Sequence, residues 1–176
     1  GVGRRLKEFQ REAARASGAE TMYWSYDPLV ARNAHLNFNR LGVRLDEYVE
    51  DMYGASESEL HRGLGTDRFI VAWPLTAGAG GQRSATAGDA VPDAWRLAPV
   101  VAENLEASSA RPPVLRVEIP SDIVKVRDER PEEAAAWRAS TRRAFQWAIA
   151  NGYEVARFLP GEQRGSYVLT RAGGER

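Results

Sequence analysis

The chain lacks cysteine altogether and holds only two histidines, His35 and His61, and two lysines, Lys7 and Lys125. The missing cysteine excludes a disulfide framework, a thiolate nucleophile and any Cys-ligated zinc or iron–sulfur centre. Two imidazoles leave His-based triads and His-rich metal sites almost no material, so no metal is expected. Long apolar runs are also missing, since nothing approaches the roughly 18 residues that a membrane helix needs. Charge of one sign is absent too, because 24 basic residues cancel 24 acidic ones. That balance argues against bulk attraction to nucleic acid or lipid. A reducing cytoplasm fits the cysteine count. Whatever chemistry occurs rests on oxygen, amide and backbone groups.

What is present is enough apolar material, 43% of 176 residues, for one ordinary domain or two small ones. Arginine supplies all but two of the basic residues. With zero net charge, GC-rich coding accounts for this more simply than recognition by guanidinium groups. The chain opens at Gly1-Val2-Gly3, without Met and without the charged, apolar and small regions of a secretory signal. That start reads as a removed leader or a missing beginning.

Leu6, Phe9, Ala13 and Ala16 recur at helical spacing among polar residues and Gly18 follows them, which predicts an amphipathic helix over 2–17. Residues 21–25 are β-prone. Asp27-Pro28 then offers an N-cap and a proline at the first helical position, so a second helix is expected over 28–41, closed by Gly42. A strand over 43–49, a polar loop over 53–66 and an apolar strand over 68–73 follow. Between 74 and 113 the composition shifts to Ala, Gly, Ser, Thr and Pro without apolar periodicity, which reads as a flexible excursion. A strand over 114–119, a helix opened by Pro131 and strands over 154–159 and 166–170 complete the order. The expected fold class is α/β in the α+β sense. A unit over 1–75 and a strand-helix-strand-strand extension over 113–176 flank a linker over 76–112.

Three constellations bear on chemistry. Gly1-Val2-Gly3 opens a helix whose first turn offers unpaired N–H groups and the positive end of the dipole, a place that suits phosphate. The plain alternative is a glycine-rich helix start with no ligand. No third glycine stands at Leu6 and no Gly-Lys-Ser/Thr follows, so neither a Rossmann fingerprint nor a P-loop is present. On the second helix Val30, Ala34, Phe38 and Leu41 share a face with Asn37, and Asn33 lies one turn earlier. Such carboxamides at a core boundary bind either a cofactor or neighbouring main chain. Arg138 and Arg142, one turn apart, would suit a carboxylate or phosphate, although a solvated face explains them better. A charged strand edge explains the Asp46-Glu47 and Glu50-Asp51 pairs at least as well as paired acid/base carboxylates would, and Tyr26, Tyr48 and Tyr53 read as packing residues that could also donate a proton.

Gly1-Val2-Gly3-Arg4-Arg5 opening a helix, then a strand, then Asp27-Pro28-Leu29 with Asn33 on a helix ending Leu41-Gly42, then two strands, resembles the C-terminal half of the GNAT superfamily of CoA-dependent N-acyltransferases. The segment 26–42, Tyr53-Gly54, Thr66-Asp67-Arg68, Trp137-Arg138-x-x-Thr141-Arg142-x-x-Phe145, Gly152-Tyr153 and Tyr167-Val168-Leu169 look similar to one bacterial branch, some members of which are associated with acylation of amino acids, including N-succinylation. Of the family's phosphate motif, Gln/Arg-x-x-Gly-x-Gly/Ala, only Gly1-Val2-Gly3 is present. The strand that polarises the thioester carbonyl in the family would precede Gly1, so the resemblance implies a partial sequence. Many family members carry a proton-donating tyrosine four residues before the helix-ending glycine, where this chain has Phe38.

The resemblance implies transfer of an acetyl or succinyl-like group from acetyl-CoA or another acyl-CoA to the amine of a small molecule such as an amino acid. Residues Gly1, Val2, Gly3, Arg4 and Arg5 would hold the pyrophosphate, and Asn33 and Asn37 would line the pantetheine. Tyr53 is the candidate proton donor, and Arg68, Arg138 and Arg142 are candidates for a substrate carboxylate. No nucleic acid or membrane partner is expected, and a homodimer is allowed. A noncatalytic acyl-CoA or amino-acid binding module is the competing expectation, and an inert scaffold the third.

Overall fold

The run Arg-Phe-Ile-Val-Ala-Trp is apolar on both faces because it becomes the middle strand of a sheet. In a computed structural model describing residues 1–54, 64–75, 91–101 and 111–171, β3 (Arg68–Pro74) pairs antiparallel with β1 (Thr21–Tyr26) on one side and β2 (Arg44–Val49) on the other. A second antiparallel sheet has the order β4 (Val114–Pro120), β6 (Arg164–Arg171), β5 (Tyr153–Leu159), so again the most buried strand lies in the centre. Five helices accompany these sheets among the described residues: α1 (Val2–Ala16), α2 (Ala31–Ala34, continuing as a π-helix over His35–Leu41), α3 (Asp93–Arg96), α4 (Ile123–Glu129) and α5 (Pro131–Ala150). The fold is thus mixed α and β, with two small antiparallel sheets.

Both halves of the chain contribute to one apolar core. Tyr26 and Phe69 from the first sheet, Phe145 from α5, and Phe158 and Tyr167 from the second sheet are all buried. Phe69 and Phe145 meet edge to face with ring centroids 4.8 Å apart, and Phe145 meets Tyr167 at 5.2 Å. Such pairs add about 0.5–1.5 kcal/mol each beyond the area they bury.

Several elements differ from their sequence expectation. The helix expected from Pro28 begins at Ala31, because Asp27 Oδ1 accepts the Leu29 N–H at 2.9 Å, forming an Asx turn, while the buried Tyr167 hydroxyl donates to the Pro28 carbonyl at 2.7 Å. Its second part is π-wound, and the wider turn buries Asn37, Phe38, Asn39 and Leu41 together, which a regular 3.6-residue stripe would not do. Gly42 closes it at φ 65°, a left-handed value that favours glycine.

Helix α4 has no counterpart among the expected elements. Asp122 caps it by accepting the Lys125 N–H at 3.1 Å, and Arg130, held extended before Pro131, separates it from α5. Part of the stretch expected to be a flexible linker is also ordered. Residues 91–101 carry α3 and an isolated bridge from Val100 to Arg116, with the Arg116 guanidinium donating to the Ala98 carbonyl at 2.9 Å. The remainder of the expected linker, 76–90 and 102–110, and most of the polar loop, 55–63, lie outside the described residues.

Candidate active site

The chain concentrates its polar chemistry where β1 ends. Asp27, the first residue beyond that strand, accepts from Leu29 through Oδ1 and from Arg138 Nη2 through Oδ2 at 2.6 Å, and Arg68 Nη1 lies 3.8 Å from the same oxygen. One carboxylate therefore joins the end of β1, the start of β3 and the middle of α5. Arg138 is only 4% exposed, and among the described residues its Nε and Nη1 have no hydrogen-bond partner. Its Nη2 is anchored on Asp27, so each side chain orients the other.

Arg68 reaches outward from this junction. Its Nη1 donates to the Asp67 carbonyl at 2.9 Å, and its guanidinium lies over the Tyr53 ring at 5.1 Å. The Tyr53 hydroxyl, in turn, is 3.5 Å from Ser25 Oγ. The Ser25 contact and the positive charge of Arg68 together hold this phenol below the usual tyrosine range. A cavity of about 240 Å³ opens beside these residues, lined by Asp27, Arg68 and Arg127 with Val30, Leu64 and Ile123. Its wall combines two guanidinium groups, one carboxylate and aliphatic side chains.

Tyr26, Tyr48 and Tyr167 are poor proton donors at neutral pH. Burial pushes Tyr26 and Tyr167, whose hydroxyls are 3.3 Å apart, far up, and burial together with the Asp67 hydrogen bond does the same to Tyr48. Phe38 is 3% exposed, edge-on to Phe69 and Tyr167, so the position holds carbon in a packed core.

Helix α1 presents its start to solvent. Gly1 to Leu6 are all exposed, and the Arg5 N–H bonds the Gly1 carbonyl at 3.4 Å. The N–H groups of Val2, Gly3 and Arg4 thus have no helical acceptor. The Arg4 side chain bonds Glu8 at 2.8 Å, and a Cβ on Gly3 would lie 3.5 Å from Leu36 Cδ2, which places the first turn against α2. Lys7 and Arg11 cover the indole rings of Trp24 and Trp73, at 3.9 and 4.9 Å. Because Trp24 faces α1 and Ser25 faces Tyr53, strand alternation sets the α1 turn and Tyr53 on opposite faces of β1. Among the described residues no strand pairs with the outer edge of β1.

The remaining candidates are bound up within the protein. Asn33 is half-buried on α2. Asn37 is buried, and its Oδ1 accepts from Trp24 Nε1 at 3.2 Å. Arg142 grips Asp67 with two bonds, Nη2 to Oδ1 at 2.6 Å and Nε to Oδ2 at 3.0 Å, and also pairs with Glu50 and Asp51. Of the three expected substrate arginines, only Arg68 lines the cavity. The Glu50-Asp51 pair, expected as a charged edge, is the docking point for α5. Reasoning from residue types missed Asp27 as the hub, Asp67 as the buried acceptor and Arg127 on the cavity wall. Only the Asp27-Pro28 signal was visible, and it read as a helix cap.

Among the described residues, no group of three or more His, Asp or Glu could hold a metal ion, and no helix is long and apolar enough to cross a membrane. Compared with protein families, curated proteins and solved structures, the chain matches none.

Proposed function

We propose that the protein is an acyl-CoA-dependent N-acyltransferase whose acceptor is a small amine bearing a carboxylate. The observation that carries this reading is the placement around β1. An open helix turn with spare N–H groups stands on one face, Tyr53 beside Arg68 on the other, and the strand edge between them is unpaired among the described residues. Spare N–H groups at a helix start bind phosphate oxygens, and a free strand edge accepts an extended amide chain such as pantetheine. A donor held from the first turn along that edge would bring its thioester toward Tyr53.

The reaction needs no covalent enzyme intermediate. The amine nitrogen attacks the thioester carbonyl, the carbon–sulfur bond breaks, and the thiolate takes a proton while the new amide loses one to water. A phenol held below its ordinary pKa is the better acid for that thiolate, and the adjacent Arg68 stabilises the phenolate left behind. Arg68 and Arg127 on the cavity wall supply charge for the acceptor carboxylate, against the aliphatic side of Val30 and Ile123.

The carbon at Phe38 favours a second reading, a binding module that holds acyl-CoA without turning it over. Thiol release from acetyl-CoA and succinyl-CoA, measured on full-length protein with a panel of amino acids, separates the two. Amine-dependent release that Tyr53→Phe lowers by about 10²–10⁴-fold supports the transferase, in line with general acid catalysis. Saturable CoA binding with no release for any amine supports the module. Absence of calorimetric heat with coenzyme A overturns both.

A further inference from the structure

A second concentration of arginine lies away from β1, where the π-wound part of α2 meets the turn between β5 and β6. Two adjoining cavities, about 230 and 250 Å³, share His35, Phe158 and Pro160 as a common wall. Arg40, Arg96 and Arg157 line the first, and Arg32 lines the second. No carboxylate lines either cavity, and among the described residues none of these four guanidinium groups makes an ion pair. Some other surface arginines, Arg4, Arg130 and Arg164 among them, do have acidic partners.

The hydrogen bonds around His35 sharpen this imbalance. The Asn39 carboxamide is fixed by Phe158, since Nδ2 donates to the Phe158 carbonyl at 2.7 Å and Oδ1 accepts its N–H at 3.0 Å. The same Nδ2 lies 3.0 Å from His35 Nδ1, and Arg40 Nε lies 3.3 Å from Nε2. A neutral imidazole accepts at only one nitrogen, so the ring cannot satisfy both donors at once. Burial and the charges of Arg40 and Arg157 hold the imidazole below its usual range, which keeps the ring neutral. An oxyanion seated between Arg40, Arg157 and His35 would accept from the two guanidinium groups and neutralise the clustered charge.

We infer that this groove binds a small organic dianion, a phosphate ester or a dicarboxylate, with its charged end between Arg40, Arg157 and His35 and its body against Phe158 and Pro160. The size of the cavities restricts the ligand to a small molecule. The inference is independent of acyl transfer, because neither anion is a thioester or an amine.

The test is a proton NMR titration of the intact protein in a His61→Gln background, where His35 is the sole imidazole. Inorganic phosphate and succinate are added separately at constant ionic strength and followed by the His35 ring resonance. The expected result is a saturable shift with one of the two anions. It should weaken at least tenfold in Arg40→Gln/Arg157→Gln and be unchanged in the charge-matched Arg130→Gln/Arg164→Gln. Saturation by phosphate alone assigns a phosphate ester, and by succinate alone a dicarboxylate. The bound dianion should also move the His35 titration midpoint upward, against the charges of Arg32 and Arg40 on α2, Arg96 on α3 and Arg157 on β5. No saturable shift of His35 with either anion, or equal weakening in both double variants, overturns the inference. The unsubstituted arginines carry the decisive readout, so a double variant that fails to fold does not rescue it.

Discussion

Two arginine clusters of the same protein do different things with the same side chain. On α5, Arg138 and Arg142 are committed to acids: Arg142 to Asp67, Glu50 and Asp51, and Arg138 to Asp27. In the groove beside α2, Arg40, Arg96 and Arg157 have no acid at all among the described residues. The difference is one of burial. Asp67 has a side chain 0% exposed, and a carboxylate removed from water survives only with donors on every side. An arginine at a cavity mouth keeps water as its partner and can exchange it for a ligand. A guanidinium is thus read as structural or as recognition by the company it keeps, not by its spacing along a helix.

The largest effect should come from breaking the committed cluster. Arg142→Ala strands the Asp67 carboxylate, and urea unfolding should show a loss of about 3–5 kcal/mol, the range for a buried pair that loses one partner. Adding Asp67→Asn to that variant should cost less than the two single losses together, as a double-mutant cycle would record. Next comes Asn39→Ala, which removes both bonds to the Phe158 main chain and should cost about 1–3 kcal/mol for each buried group left unpaired.

Acid should weaken the same contrast from the other direction. Burial pushes the Asp67 carboxyl up, but hydrogen bonds from Arg142, Tyr48 and the Asp51 amide outweigh it and hold the group below the usual carboxylate range. The unfolded chain then takes up its proton first as pH falls. The stabilisation is complete above the ordinary carboxylate value and disappears as pH drops through the depressed one. Thermal unfolding between pH 7 and 2 should show this slope in the native protein and a shallower one in Arg142→Ala. The smallest effect belongs to the uncommitted cluster. Arg40→Gln/Arg157→Gln should change stability by no more than about 0.5 kcal/mol, with any gain largest at low salt, where relief of like-charge repulsion is least screened.

Much of the fold was legible because its periodicities are strong. The strand over 68–73, the helix opened by Pro131 and the α1 helix closed near Gly18 all stand where their patterns placed them. Helix α1 still holds a surprise, since Leu6 and Phe9 are 54% and 69% exposed while Lys7 and Arg11 cover the tryptophans. Periodicity predicts that a helix has an apolar face, not which face docks. Asn39 was invisible for a related reason. In a regular α-helix it lies away from the Phe38 stripe, and only the π winding turns it toward β5.

By itself the sequence determined what chemistry is excluded and where most strands and helices lie, because composition and hydrophobic period are local properties of the chain. It also placed a glycine-rich helix start at Gly1 and carbon, not a phenol, at Phe38. Only the tertiary structure decided that Asp27 ties β1 to α5, that Arg142 is sequestered by Asp67 75 positions away along the chain, and that among the described residues Arg40 and Arg157 are left without acids. Charge pairing across such separations is set by which surfaces the core brings together, and no local pattern records that choice.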